Sequence, residues 1–328
     1  MKAEILKLLR ESEDYVSGQQ LCEQFGVSRT AVWKVINQLK EEGYEVEAVR
    51  NRGYRIVNNP DVITAEELHS LLDGRTNWAG HQIYYYAETD STNTRAKKLG
   101  DEGAPHGTLV VTEKQIAGKG RRGRSWASPE NCSIYMSLLL RPEFPPVHAP
   151  MLTIVMAYAV ARALRKCSGL DVQIKWPNDV ILNGKKLVGI LTEMSTEIEY
   201  INYVVIGVGI NVNMESFPEE IADKATSLRI EMGQKQNRGP IIAEILEQFD
   251  ACYEEFLQHE NLEYLREAYN EMLVNCGKEV CVLGAQANYK AQALGIDENG
   301  ELLVRREDGS EEAVYAGEVS VRGVYGYV

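Results

Sequence analysis

The sequence is poor in the features that would place it in a membrane, a fibre or a disulfide scaffold. No apolar run approaches the roughly 18 residues of a membrane span. The longest, residues 203–212, is broken by Gly207 and Gly209 and reads as a buried strand. The six cysteines are scattered, with no C-x-x-C pair and no histidine cluster beside them, so structural zinc is not expected and the thiols should be reduced. The start, Met1-Lys2-Ala3-Glu4, carries an early acid and no apolar segment; no secretory signal is expected, and the expected compartment is the cytoplasm, with no membrane partner. Repeats and low-complexity tracts are absent. Positive charge is in deficit: the net charge is −13, which at first argues against a nucleic-acid partner.

The distribution of charge reverses that argument. The first 60 residues hold nine Lys or Arg and nine Asp or Glu, so the whole −13 lies on the remainder. A neutral head can meet DNA if its cations share one face, while the acidic body is repelled by the phosphates. With 328 residues, 44% hydrophobic and 25% charged, the chain has globular composition and length for two domains and a small third.

Three regions follow: 1–60, 61–275 and 276–328. In the first, helices are expected at 4–9, 19–25 and 28–42, with Ser17 and Ser28 as N-caps and Gly26-Val27 as the turn. Ala31, Val32, Val35, Ile36 and Leu39 recur at helical spacing. Strands at 44–49 and 54–57 flank Arg50-Asn51-Arg52-Gly53, with Gly53 suited to the hairpin turn. This is a winged helix-turn-helix. Ser28, Arg29, Thr30 and Lys34 occupy the start and outward face of its recognition helix, and Arg50, Arg52 and Arg55 load the wing, where DNA contacts are made. The plainer alternative is a helical subdomain with a solvated basic face.

In the second region strands are expected at 83–87, 108–114, 133–140, 172–176, 180–182, 186–194 and 203–212, and helices at 150–166, 241–260 and 262–273. Several connections are too short for a crossover helix, so the sheet is mixed or antiparallel. The third region holds short strands at 279–282, 289–296, 302–306, 311–315 and 320–322, a small β-barrel. The fold class is α+β with several domains.

Four segments carry chemistry. Gly118, Gly120 and Gly123 satisfy G-x-G-x-x-G, yet a turn and then a strand follow, where a dinucleotide fingerprint needs a helix. What remains is a glycine-rich loop bearing Lys119, Arg121, Arg122 and Arg124. Cations this close repel one another unless wrapped on a polyanion, and Trp126 offers a face for a purine; the alternative is a flexible basic loop beside a core tryptophan. Lys175-Trp176-Pro177-Asn178-Asp179 precedes Lys185-Lys186, where Lys186 opens an apolar strand and so stands at a cavity edge, unless the two lysines are merely exposed. Asp90-Ser91-Thr92-Asn93 heads a helix, as a site or as a plain N-cap. Gly207 and Gly209 permit close approach of a ligand, or mark a bulge.

In this order, Ser-Thr-Asn, the Gly-Lys-Gly-Arg-Arg-Gly-Arg-x-Trp loop, Lys-Trp-Pro-Asn-Asp, Lys-Leu-x-Gly-Ile-Leu and Gly-x-Gly-Ile-Asn resemble the biotin–protein ligases. With the winged head and the small barrel, the resemblance is to the bifunctional ligases that also repress biotin operons, and it covers essentially the whole chain. It implies a central domain like the class II aminoacyl-tRNA synthetases and an SH3-like tail. By the resemblance Ser91, Thr92, Asn93 and Gln115 would hold biotin, and Lys119, Gly120 and Arg121 would close over its carboxylate. Arg122 and Arg124 would meet ATP phosphates, Trp126 and Asn211 the adenine, and Asn178 and Asp179 the polar network on the nucleotide side. Lys186 would be the catalytic lysine, touching biotin as well, with Arg121 and Arg124 assisting. Lys119 stands where an arginine is more usual and lacks the bidentate fork. The resemblance further implies ATP and biotin as substrates, Mg²⁺ on the pyrophosphate with ligands unassigned, a biotin carboxyl carrier protein or domain and operator DNA as partners, and a homodimer when biotinyl-adenylate is bound.

The chemistry accounts for those residue types. A carboxylate attacking the α-phosphorus brings two anions together, and unit charges about 4 Å apart repel by about 4 kcal/mol at an effective dielectric near 20. Lys186 and the arginines would offset that repulsion. The competing readings are a lipoate-type ligase, which should lack the winged head, a biotin-sensing repressor without turnover, and a synthetase paralogue, for which −13 makes tRNA a poor partner.

Overall fold

The computed structural model describes residues 1–283, 288–315 and 320–323; the end of the third region, 324–328, lies outside the described residues. In the head, α1 (Lys2–Glu11), α2 (Gly18–Phe25) and α3 (Arg29–Glu41) bury Ile5, Leu6, Leu9, Leu21, Val32, Val35, Ile36 and Leu39 in one core. Both expected caps form: Ser17 Oγ accepts from the Gln20 N–H at 3.0 Å and Ser28 Oγ from Ala31 at 3.2 Å. Gly26 closes the turn between them with φ 63°.

The wing pairs β1 (Glu45–Val49) with β2 (Gly53–Asn58). Gly53 does not make the turn, as the sequence suggested; Asn51 takes the left-handed conformation at φ 68°, and Gly53 begins β2. It requires glycine twice over, through its φ of 121° and because a Cβ there would lie 2.0 Å from the Val16 carbonyl oxygen, where Tyr54 bridges to Val16.

An element missed by sequence reading, α4 (Ala65–Leu72), joins head to body. Arg10 forks onto both oxygens of Glu67 at 2.8 and 2.7 Å and also donates to Ser70, while the Tyr44 hydroxyl donates to Glu67 at 2.6 Å.

The body is a seven-stranded mixed sheet of β3 (Ile83–Thr89), β4 (Thr108–Gln115), β5 (Ile134–Leu140), β6 (Gln173–Lys175), β7 (Asp179–Leu182), β8 (Lys185–Thr196) and β9 (Ile201–Ile210), in the order β3-β4-β5-β9-β8-β7-β6. Only β3 and β4 run parallel. The connection between them contains α5 (Thr92–Asp101), long enough to reverse direction, whereas the Asn183-Gly184 hairpin (φ 49° and 75°) leaves β7 and β8 antiparallel. On one face α5 sets Ala96 against Val110, Leu139, Tyr203 and Val205. The other is covered by α6 (Met151–Ser168) and α8 (Arg238–His259), with α7 (Leu228–Met232) and α9 (Glu263–Met272) alongside. By length and composition α6 could cross a membrane, but most of it is buried within this body, as a core helix is.

At the start of α8, Arg238 is 1% exposed and forks between two carboxylates, Asp61 at 3.1 Å and Glu113 at 2.5 Å. Burial opposes its charge, yet the bonds to Glu113 and Asp61 outweigh burial and raise its pKa. One side chain thus ties the segment after the head to β4 and α8.

The last region is an antiparallel sheet of β10 (Glu279–Leu283), β11 (Asn288–Ile296), β12 (Leu302–Arg305), β13 (Glu311–Val314) and β14 (Ser320–Gly323), ordered β13-β12-β11-β10-β14. Its turn at residues 297–301 is docked on the body. The Trp176 indole donates to the Gly300 carbonyl at 2.9 Å, and the Leu262 N–H donates to that of Glu298 at 2.7 Å.

Candidate active site

The ends of β4, β8 and β9, the head of α5 and the loop at residues 118–126 line a cavity. Its polar wall comes from Ser91, Thr92, Gln115 and Asn178, its cations are Lys119, Arg121 and Lys186, and its floor includes Met136, Ile190, Leu191 and Val208. Residues distant in sequence meet because β8 and β9 are antiparallel neighbours, with Gly189 opposite Gly209.

Gln115 organises the α5 side. Its Oε1 accepts from the Thr92 N–H at 2.9 Å and its Nε2 donates to Ser128 Oγ at 2.8 Å. Ser91 stands at the helix N-cap but makes no side-chain cap bond; Asp90 accepts its N–H at 2.8 Å instead, so the Ser91 hydroxyl is not spent on capping. Asn93 lines the same cavity and is also tied into the sheet. Its amide nitrogen donates to the Leu191 carbonyl and Glu193, and its oxygen accepts from Ser137 at 2.6 Å.

The three strand glycines owe their place to the protein's own side chains, with neither a bulge nor a ligand needed to explain them. A Cβ on Gly207 would lie 2.0 Å from Asn93 Oδ1, and one on Gly189 or Gly209 would lie 2.7 Å from the Trp126 ring. The indole therefore rests flat on bare backbone, and its Nε1 is buried with no hydrogen-bond partner among the described residues. We expect Gly209→Ala to displace the indole at a cost of about 1–3 kcal/mol, as overpacking does. Tryptophan fluorescence should shift and the melting temperature should fall; an unchanged spectrum and melting temperature would refute the seat.

The basic loop is a closed hairpin: the Gly120 N–H donates to Arg124 at 2.7 Å and the Trp126 N–H to Gly118 at 2.9 Å. Arg122 takes φ 56° at the tip, and Arg122 and Arg124 are exposed. Arg121 turns inward and donates to Asn178 Oδ1 at 2.9 Å. Burial, then the Arg122 charge, hold its guanidinium below the usual range, against the pull of Asp179. The neighbouring charges of Arg122 and Arg124 act against that of Arg121, and such a cluster favours an anion.

Lys186 and Asp179 form an ion pair at 2.6 Å, and the ammonium also lies 5.3 Å from the Trp126 ring centre. Asp179 thus holds the lysine here, where the resemblance placed it with the nucleotide. Lys185 points away, donating to the Ala222 carbonyl at 3.3 Å. Asn211 does not line the cavity; it is buried and donates to the Thr226 carbonyl at 3.1 Å. Sequence reasoning missed the apolar floor and Gly189, although Gly189 sits within the Lys-Leu-x-Gly segment. Among the described residues no three His, Cys, Asp or Glu side chains converge as a metal site.

In the head, the exposed face of α3 carries Arg29, Thr30 and Lys34, and also Trp33, 57% exposed and not foreseen. Arg29 donates to Gln19 at 3.1 Å. In the wing Arg50 is exposed, whereas Arg52 pairs with Asp14 at 2.7 Å and stacks over Tyr15.

Family models match three parts of the chain: an HTH domain at residues 2–55, the biotin/lipoate A/B protein ligase family at 85–211, and a biotin protein ligase C-terminal domain at 276–322. The chain is 39% identical to the bifunctional ligase/repressor BirA of Bacillus spizizenii, over 98% of each chain. To the protein of that description in Escherichia coli it is 32% identical, covering 97% of this chain and 96% of that one. Among solved structures, the biotin protein ligase of Aquifex aeolicus in complex with biotin and ATP superposes with a TM-score of 0.66 at 31% identity, covering 74% of this chain and 99% of that one.

Proposed function

The chain belongs to the family of bifunctional biotin ligase/repressors, and from that membership we propose the following division of labour. The protein forms biotinyl-adenylate from biotin and ATP, transfers the biotin to a lysine of a biotin carboxyl carrier protein, and represses biotin genes through its winged head. We place the three units at residues 1–60, 61–275 and 276–328, and the protein in the cytoplasm.

The observation that carries the site assignment is Lys186 held by Asp179 in a cavity that also receives Arg121, Ser91, Thr92 and Gln115. The ureido ring of biotin fits the hydroxyl and amide wall, and its valeryl chain the apolar floor. Its carboxylate then lies toward Lys186, Arg121 and the Lys119–Gly120 backbone. Those cations offset the repulsion between carboxylate and α-phosphate, and Lys186 follows the charge that grows on the phosphate oxygens. Arg122 and Arg124, exposed on the hairpin, meet the phosphates as the loop closes. Trp126 presents its ring to the adenine, and Asn178 holds Arg121 in place. Mg²⁺ on the pyrophosphate would neutralise the leaving group. Asn93 lines the pocket beside Thr92, and Asn211 supports it from behind. Closure of the loop over the adenylate favours a homodimer, which sets two heads on two half-sites.

Incubation with ATP, Mg²⁺, labelled biotin and a carrier domain tests the ligase: label should survive denaturation of the carrier. Binding of biotin without labelled carrier would sink the enzymatic assignment. For the head, Lys34→Ala and Arg50→Ala should each weaken binding to a mixed-sequence duplex and lower the salt slope by about one. Biotin transfer should be unaffected. Equal slopes in variants and unaltered protein would remove these residues from the DNA interface.

A further inference from the structure

A second, larger cavity opens beside the first and shares Arg121, Asn178 and Ile190 with it. Its far wall is the turn at residues 297–301 of the C-terminal sheet, which contributes Asn299, Gly300 and Glu301. That turn is fixed to the body, not merely near it. The Trp176 indole donates to Gly300, and a Cβ on Gly300 would lie 2.8 Å from Leu262 and 3.1 Å from Ile154. Within the turn, Asp297 accepts the N–H groups of Asn299 and Glu301, both at 2.9 Å.

Two carboxylates line this cavity, in different states. Glu193 is committed to Lys97 at 2.7 Å and Asn93 at 2.8 Å. The Glu301 side chain, half-buried, has no hydrogen-bond or ion-pair partner among the described residues. Burial, and then Asp297, raise its carboxyl above the ordinary range, the response of an acid lacking a cation. The first cavity is therefore walled by Lys119, Arg121 and Lys186, while its neighbour, which Arg121 also borders, adds the Glu301 carboxylate without a cation on it.

We propose that the second cavity is the entrance for the acceptor lysine and that Glu301 binds its ammonium group. The inference rests on the ligase reading, and it gives the C-terminal sheet a part in the second half-reaction. An ammonium cannot attack an acyl carbon, so it first sheds one proton, through Glu301 to the solvent at the cavity mouth. The amine then attacks the acyl carbon of the mixed anhydride. The C–N bond forms, the C–O bond to phosphate breaks, AMP leaves as a dianion and the second nitrogen proton departs. Lysine is drawn in by Glu301, the carboxylate among the described lining residues that a cation would complete, and adenylate formation needs none of this.

The test compares Glu301→Gln with the unaltered full-length protein using two acceptors: a biotin carboxyl carrier domain, and hydroxylamine, a neutral amine that needs no ammonium site. With the carrier domain, kcat/KM should fall roughly 10–100-fold, the worth of a hydrogen bond to a charged group. With hydroxylamine, biotin-dependent pyrophosphate release should stay within about twofold of normal. Glu301→Asp should recover part of the carrier activity. Undiminished carrier transfer would overturn the proposal, as would an equal loss with both acceptors, which would assign Glu301 to adenylation or to folding. If the unaltered protein releases no biotin-dependent pyrophosphate, the ligase reading fails first and this inference falls with it.

Discussion

Replacing Lys186 with methionine should slow biotin-dependent pyrophosphate release about 10²–10³-fold, the range found when one preorganised electrostatic donor is removed from a reacting centre. Two effects combine. The ammonium that would meet the carboxylate and the α-phosphate disappears, and Asp179, 2.6 Å from it in this structure, keeps its negative charge beside the incoming phosphates. The double variant Lys186→Met with Asp179→Asn should therefore be less impaired than the product of the two single losses, because the second change removes a repulsion that the first exposed. Single-turnover kinetics with saturating biotin and ATP read this directly. A Lys186→Met rate within threefold of normal would take the lysine out of the chemistry. Normal additivity in the double variant would show that Asp179 acts independently of it.

The largest effect on stability should come from a residue remote from the chemistry. Arg238→Met leaves Asp61 and Glu113, both under 10% exposed, without the guanidinium that forks between them. Breaking a buried ion pair by removing one partner costs about 3–5 kcal/mol, since the desolvation of the survivors is no longer offset. For a body of this size that lowers the melting temperature by roughly 10 °C. Arg238→Lys keeps the charge but cannot serve both carboxylates with a planar fork, and should fall between. Calorimetry of the full-length protein decides the matter: a shift of less than about 2 °C for Arg238→Met would mean that water reaches the site and replaces the guanidinium. Because Asp61 begins the segment after the head and its Oδ2 also accepts from Asn213 at 3.1 Å, the same variant should loosen the head from the body.

Much of the molecule was legible from local chemistry. Ser17 and Ser28 announce two helix starts and Gly26 the turn between them, because capping and left-handed turns are settled within four residues of chain. The basic loop was legible for a similar reason: cations that close together require an anion, whatever the fold around them. What escaped was the helix Ala65–Leu72, whose face toward the head carries Glu67 and Ser70, polar residues that do not register as a core stripe until Arg10 and Tyr44 are placed against them.

The glycines show the boundary most clearly. Composition and spacing by themselves pointed to Gly207 and Gly209 on a strand beside a site, and to Lys186 at the start of another, but not to Gly189. Only the tertiary structure decided why: antiparallel pairing sets Gly189 opposite Gly209, and the Trp126 ring fills the space their missing Cβ atoms leave. In the same way the sequence could name Asp179, Asn93 and Arg52 as polar residues in the right segments, but not their partners. Those are Lys186, Ser137 with Glu193, and Asp14, each fixed by chain packing. Hydrogen bonds and ion pairs are short-ranged in space and indifferent to sequence separation, so which pairs form is decided by the fold and cannot be read along the chain.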